Sequence, residues 1–178
     1  HELRHAIDSG EIEVRYQPIV NLETRDVAGL EALTRWNHPT QGLLSPAKFL
    51  GLAEQAGLLP DITRVVMGEA MRQMGIWQRV LTRERPIYVA INLSADELND
   101  LSFVDHLRAL VAREGVRRNT VNIEITESVA MRYPDRARQF LQRLQALGVG
   151  VALDDFGTGF SSLASLRDSM IHVNTSLD

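Results

Sequence analysis

An α/β fold with a mainly parallel sheet, of the (β/α)-barrel kind but incomplete after its fifth strand, is the class the sequence predicts. Three observations predict it. Segments with strand character alternate with segments of helical spacing, joined by short turns. The polar turn at residues 21–26 is too short for a parallel crossover, so the first two strands are expected to pair antiparallel. Acidic or amide residues recur near the carboxyl ends of successive strands, where (β/α) barrels carry their functional groups. About five strands are legible where a closed barrel has eight, and such barrels run to about 250 residues, against 178 here.

Taken in order, residues 3–7 carry short helical spacing that Ser9 and Gly10 end. Ile12, Val14 and Tyr16 alternate with Glu11, Glu13 and Arg15, the period of a strand, and Gln17-Pro18-Ile19-Val20 follows. A second strand over residues 27–36 sets Glu31, Leu33 and Arg35 on one face, presenting an acid and a cation together. Residues 37–42 read as a loop. Pro46 suits the first turn of a helix over 47–56, which Gly57 closes. Asp61 is placed to cap a longer helix on which Ile62, Val65, Val66, Ala70, Met74 and Trp77 recur at helical spacing, its methionines serving as core.

A third strand over 87–91, rich in β-formers, ends at Asn92. Ser94 and Glu97 form a candidate capping box, and Ser102 opens a helix that runs to Glu114 and stops at Gly115. The fourth strand, 121–126, puts Glu124 and Thr126 on one face with Glu127 just beyond. A helix over 134–147 turns Phe140, Leu141, Leu144 and Leu147 inward, and Gly148 ends it. The fifth strand, 149–153, is an apolar run that delivers Asp154 and Asp155 into the glycine-rich turn at 156–162.

With 44% hydrophobic and 24% charged residues, the chain is suited to a single domain with a substantial core. It has no cysteine, which excludes disulfides and thiolate metal sites. No apolar run approaches the ~20 residues of a membrane span, and the opening His1-Glu2-Leu3-Arg4 does not begin a signal peptide. A soluble, cytoplasmic chain without membrane contact is the expectation, either by itself or as the cytoplasmic part of a larger sensor. The net charge of −4 argues against binding polymeric nucleic acid, which needs a basic surface. A small anion held through metal ions remains compatible with it.

Each polar strand-end residue has a plain explanation by itself. Asn92 can be a turn former, Glu124 a satisfied core acid, Glu31 a partner for Arg35, and Asp154-Asp155 a solvated strand-to-loop junction. Four strands offering oxygen atoms at one end are harder to explain by solvation, because buried carboxylates are costly unless paired or bound to a cation. Glu31, Asn92, Glu124, Asp154 and Asp155 form an all-oxygen set suited to Mg²⁺ or Mn²⁺ rather than zinc. Such a set can hold two ions and support hydrolysis of a phosphodiester.

The segments Tyr16-Gln17-Pro18-Ile19, Glu31-Ala32-Leu33-Thr34-Arg35-Trp36, Asn92-Leu93-Ser94, Glu124-Ile125-Thr126-Glu127-Ser128 and Asp154-Asp155-Phe156-Gly157-Thr158-Gly159 together resemble the EAL-domain phosphodiesterases, which cleave cyclic di-GMP to linear pGpG. They occur in that family's order and cover nearly the whole chain to about Asp168, so one EAL domain over residues 1–178 is expected. The resemblance implies that Glu31, Asn92, Glu124 and Asp154 hold a first metal ion and that Asp155 helps to hold a second, with Glu31, Asp154 and Asp155 central to catalysis. It implies that Arg35 contacts a substrate phosphate, that Gln17 and Leu33 line a guanine site, and that Glu127 braces the loop after the fifth strand. That loop resembles the segment linking metal site to dimerisation, so a homodimer is expected.

The family's later strands, which carry a catalytic lysine, a glutamate and a glutamine, have no recognisable counterpart in this sequence. The tail 169–178 diverges, the sole lysine is Lys48, and His172 is the one near-neutral base in the tail. Two functions therefore stand side by side: a metal-dependent cyclic di-GMP phosphodiesterase, and a noncatalytic cyclic di-GMP receptor or interaction module on the same fold.

Overall fold

The computed structural model describes residues 2–81, 86–95, 97–100, 102–126 and 134–154. In chain order they form α1 (Glu2–Asp8), β1 (Ile12–Val20), β2 (Val27–His38), β3 (Gly42–Leu44), α2 (Leu50–Gln55), α3 (Leu59–Val80), β4 (Tyr88–Asn92), α4 (Ser102–Glu114), β5 (Val121–Thr126), α5 (Pro134–Leu147) and β6 (Gly150–Asp154), with single 3-10 turns at Pro46–Lys48 and Glu97–Asn99. One six-stranded sheet runs β1-β2-β4-β5-β6, with β3 paired to β2. As the short turn requires, β1 and β2 are antiparallel. The pairs β2–β4, β4–β5 and β5–β6 are parallel, with helices as crossovers. This is the open, barrel-like arrangement expected of the sequence, and among the described residues β1 and β6 are its edges.

Helices cover the apolar face. Val89 and Ile91 of β4, Val121, Ile123 and Ile125 of β5, and Val151 of β6 are all buried and belong to one core with α3, α4 and α5. The helical spacing of α3 sends Ile62, Val66, Met67, Ala70, Met71 and Met74 inward. Full burial of the three methionines contributes on the order of 1.5 to 3 kcal/mol each, as expected of core rather than functional side chains. Helix α5 adds Phe140, Leu141 and Leu144, and the Phe140 ring packs 5.6 Å from that of Phe103 on α4.

Several local details differ from the sequence expectation. The stretch expected to be a loop after the second strand continues it to His38 and returns as β3, pairing Trp36 with Leu44. The helix expected over 47–56 is divided, a 3-10 turn preceding α2, because Phe49 adopts a non-helical backbone between them. Helix α3 begins at Leu59 with no side-chain cap, so Asp61 lies inside its first turn and bonds Arg4 at 2.6 Å instead. Helices α4 and α5 stop where expected: Gly115 (φ 68°) and Gly148 (φ 79°) take the left-handed conformation that lets the chain reverse into the next strand.

Helices α3 and α4 come close at Gly75, where an added Cβ would stand 2.5 Å from the backbone oxygen of Glu114. Gly75→Ala should therefore destabilise the domain by about 1 to 3 kcal/mol through overpacking. Gly68, on the same helix, has open space around a Cβ, and Gly68→Ala should stabilise by roughly 0.5 to 1 kcal/mol through helix propensity. Urea unfolding of both variants checks the opposite signs.

Candidate functional site

Residues paired in a ladder point to the same side of a sheet, so the register assigns each side chain to a face. Across β1 and β2, Tyr16 pairs with Ala32 and Ile12 with Trp36, whereas Gln17 pairs with Glu31 and Glu13 with Arg35. The first set joins the core. The Tyr16 ring meets Trp77 edge-on at 4.8 Å, and burial pushes its phenol above the ordinary range, so this tyrosine is a packing residue. Trp36 is buried, and its indole N–H donates to Glu11 Oε2 at 3.0 Å, holding that carboxyl below its usual range. The second set lies on the face away from the helices.

The parallel ladders carry that second face across the sheet. Gly29 pairs with Tyr88 and Glu31 with Ala90. Ala90 in turn pairs with Asn122, and Asn92 with Glu124. On the far side Asn122 pairs with Gly150, Glu124 with Ala152, and Thr126 with Asp154. The lower layers are filled by large groups over glycines: the Tyr88 ring lies where a Cβ on Gly29 would be, at 2.7 Å, and Asn122 Oδ1 where one on Gly150 would be. Above them the face is built of small Ala90 and Ala152 and of the polar Glu31, Asn92, Glu124 and Thr126. Polar atoms therefore collect at the carboxyl end of the sheet, over a filled floor.

Asn92 Nδ2 donates to Glu31 Oε1 at 2.8 Å, joining β4 to β2 through side chains. With its nitrogen committed there, Oδ1 is the acceptor atom of the amide. Glu31 is thus engaged by Asn92. Arg35 donates Nη1 to the carbonyl of Thr34 at 2.8 Å, and Glu13, its register partner on β1, is bound by Arg15 at 2.8 Å. The sequence alternative in which Glu31 and Arg35 pair with each other is not what these residues do. The half-buried Arg35 guanidinium, four residues beyond Glu31 on the same face of β2, is consequently directed to a carbonyl rather than neutralised by a carboxylate.

Beside these residues opens a cavity of about 570 Å³, within the usual range for a small-molecule site. Leu33, Asn92 and Thr126 line it from the sheet, Ser94 from just beyond β4, and Glu54 and Ile62 from α2 and α3. Leu33 and Asn92 were expected at the site from sequence. Glu54 was not, since only the tertiary packing of α2 across the strand ends brings it there. Ser94 and Thr126 could have been found from parity and from their closeness to Asn92 and Glu124.

The expected donor set is divided by what the structure describes. Glu31, Asn92 and Glu124 lie on one face of adjacent strands. Asp154 occupies the last position of β6, opposite Thr126. Asp155, Glu127 and the glycine-rich turn lie outside the described residues, as does His172. Among the described residues no three His, Cys, Asp or Glu side chains gather as a metal centre. What is present is two carboxylates and an amide, all oxygen donors, a chemistry that fits Mg²⁺ or Mn²⁺ and lacks the sulfur or imidazole of a zinc site. Among the described residues no helix is long and apolar enough to cross a membrane.

A family model described as the EAL domain matches residues 1–173. The chain is 40% identical over 167 residues to the bifunctional diguanylate cyclase/cyclic di-GMP phosphodiesterase MucR of Pseudomonas aeruginosa, covering 94% of this chain and 24% of that protein. It is 41% identical over 166 residues to the cyclic di-GMP phosphodiesterase NbdA of the same organism, covering 93% and 21%. The chain therefore spans about a quarter or less of the length of these relatives. Among solved structures, the PaMucR phosphodiesterase in complex with c-di-GMP superposes with a TM-score of 0.87 at 40% identity, covering 94% of this chain and 67% of that one. The FimX EAL domain of Xanthomonas citri in complex with c-diGMP superposes with a TM-score of 0.82 at 27% identity, covering 93% and 63%.

The Glu31–Asn92 contact yields a direct test. Asn92→Asp replaces the donor with a second carboxylate beside Glu31, so the two acids resist ionising together. The variant should lose about 1 to 3 kcal/mol at pH 7 in chelator-treated buffer, and lose less as pH falls towards 4 and one proton is shared. Thermal melts across that range check it, and a pH-independent deficit would show that the two groups do not meet.

Proposed function

The chain belongs to the EAL domain family, and from that membership we propose that it binds cyclic di-GMP at the carboxyl end of its sheet and carries the metal-dependent half of a phosphodiesterase site that converts it to pGpG. The observation that carries this reading is the convergence of Glu31, Asn92 and Glu124 on one sheet face beside the cavity lined by Leu33, together with the half-buried Arg35, which no carboxylate neutralises among the described residues.

Glu31, Asn92, Glu124 and Asp154 would hold one Mg²⁺ or Mn²⁺ ion, and Asp155 would help to hold a second. When bound, the ions supply positive charge that polarises the phosphodiester and make water acidic enough to attack it. The protein's own groups do the rest. Arg35 binds a non-bridging phosphate oxygen through charge-assisted hydrogen bonds. Leu33 offers an apolar surface to a guanine, and Gln17, opposite Glu31 in the ladder, offers it hydrogen-bonding groups. The Asn92 bond to Glu31 keeps one carboxylate oriented before ligand arrives, which lowers the reorganisation needed on binding. Glu127 braces the loop after β6. We extend the proposal to a homodimer formed through that loop and to a cytoplasmic location.

A noncatalytic receptor is the second reading, favoured by one observation. The one lysine of these 178 residues, Lys48, lines a separate cavity with Trp36 and His38 and so brings no cation to the strand ends. Loss of one positioned partner for developing charge typically lowers rate by about 10² to 10³, whereas ligand contacts survive it. The 178-residue chain should therefore bind cyclic di-GMP better than it cleaves it, with slow or undetectable pGpG by chromatography. Joining it to later strands from a family member should recover metal-dependent hydrolysis, which Glu31→Ala should abolish. Fast turnover by the isolated chain would remove the need for those strands.

Binding is tested separately. Arg35→Ala should weaken cyclic di-GMP affinity by on the order of 1.5 to 3 kcal/mol; equal affinities by calorimetry would exclude the phosphate contact. Mg²⁺ or Mn²⁺ should raise the melting temperature by binding the folded state, and Glu31→Gln and Asp154→Asn should each reduce that rise. An unchanged response in both variants would sink the ligand assignment.

A further inference from the structure

Beside the strand-end residues lies a buried carboxylate to which the proposed chemistry gives no role. Glu97, in the 3-10 turn that follows β4, is 3% exposed. Its Oε2 accepts the backbone N–H of Ser94 at 3.1 Å and also the Ser94 hydroxyl. Its Oε1 is buried without a hydrogen-bond partner among the described residues. This is half of a capping box: the acid reaches back to the Ser94 N–H, and the Ser94 hydroxyl donates to the same carboxylate. An unpaired buried oxygen is unfavourable, so the compensating effect lies in what Oε2 ties down.

We propose that Glu97 is a positioning residue for Asn92. Asn92 is the last residue of β4, where the chain leaves the ladder. The next two amides are both tethered, Leu93 N–H to the carbonyl of Glu124 at 2.8 Å and Ser94 N–H to Glu97. Glu97 is itself held from behind. Its carbonyl accepts from Asp100 N–H at 3.0 Å, the Asp100 carboxylate accepts from Ser102 N–H at 2.9 Å at the start of α4, and the neighbouring Leu98 is buried. A continuous chain of contacts thus runs from α4 through Glu97 and Ser94 to Asn92 and, by the 2.8 Å amide bond, to Glu31. Side-chain rotamers depend on the backbone that carries them, so releasing Ser94 releases the aim of the Asn92 amide. Since Oε1 has no partner, no donor in the described structure requires the charge, and a glutamine oxygen can accept both Ser94 bonds.

The proposal rests on the functional reading for its consequence but not for its test. In chelator-treated protein, the Asn92 side-chain amide is followed by NMR, assigned through its absence in Asn92→Asp. Glu97→Ala should accelerate its hydrogen exchange by about tenfold, the scale of one ordinary hydrogen bond, while Glu97→Gln leaves it near wild type. The Mn²⁺ dissociation constant, measured by titration, should weaken by a similar factor in Glu97→Ala and not in Glu97→Gln. If Glu97→Ala does not fold, Glu97→Asp takes its place, its shorter side chain withdrawing the carboxylate from Ser94. A lowered melting temperature with unchanged Asn92 exchange would make Glu97 merely structural and overturn the proposal. Responsive Asn92 exchange in a wild type that binds no Mn²⁺ would uphold the positioning role and count against the metal-dependent function instead.

Discussion

Parallel, in-register pairing around β4 is the constraint on which the other features depend. Ala90 is paired on one side with Glu31 and on the other with Asn122, and two residues on Asn92 is paired with Glu124. Because side chains alternate across a strand, a slip of one residue in β4 would exchange Asn92 for the fully buried Ile91. The apolar burial of Val89 and Ile91 under the helices therefore also determines that Glu31, Asn92 and Glu124 share the opposite face. The core thus enforces the site's register.

That division accounts for the uneven use of space on the inner face. Large groups fill the lower layers, with the Tyr88 ring over Gly29 and the Asn122 amide over Gly150. Small Ala90 and Ala152 stand beside Glu31 and Glu124 in the ladders, and Leu33 and Asn92 reach the cavity. Glu31 and Glu124 stand on the strands either side of β4, and like charges brought towards each other resist ionising together. Asn92 supplies a neutral donor to Glu31.

Family membership and chemistry rest on different parts of this chain. Membership follows from the match over residues 1–173 and from fold similarity to solved EAL structures. The proposed binding and metal functions rest on β2, β4, β5 and the end of β6, while the cation expected from a later strand is what divides binding from turnover. The turn at Glu97 adds a further layer, since the rigidity of α4 reaches Asn92 through a carboxylate that touches none of the expected ligand groups.

Period and punctuation alone determined much of this protein. Two-residue alternation identified β1 and placed Glu31, Leu33 and Arg35 on one face; helical spacing identified α3, α4 and α5; Gly115 and Gly148 marked helix ends, because few other residues adopt their backbone. The motifs around Glu31, Asn92 and Glu124 were legible for the same reason, each lying near the carboxyl end of a parallel strand. What only tertiary structure decided depends on partners distant in sequence. Asp61 looked like a cap until Arg4 was found across from it, and Arg35 looked like a partner for Glu31 until Asn92, from another strand, took that place. The strand β3 escaped notice because three residues carry too little periodicity and are held by pairing with Trp36 to His38. Local sequence sets which face a side chain can occupy, whereas the choice among several hydrogen-bond partners is made by whichever one the folded sheet brings within reach.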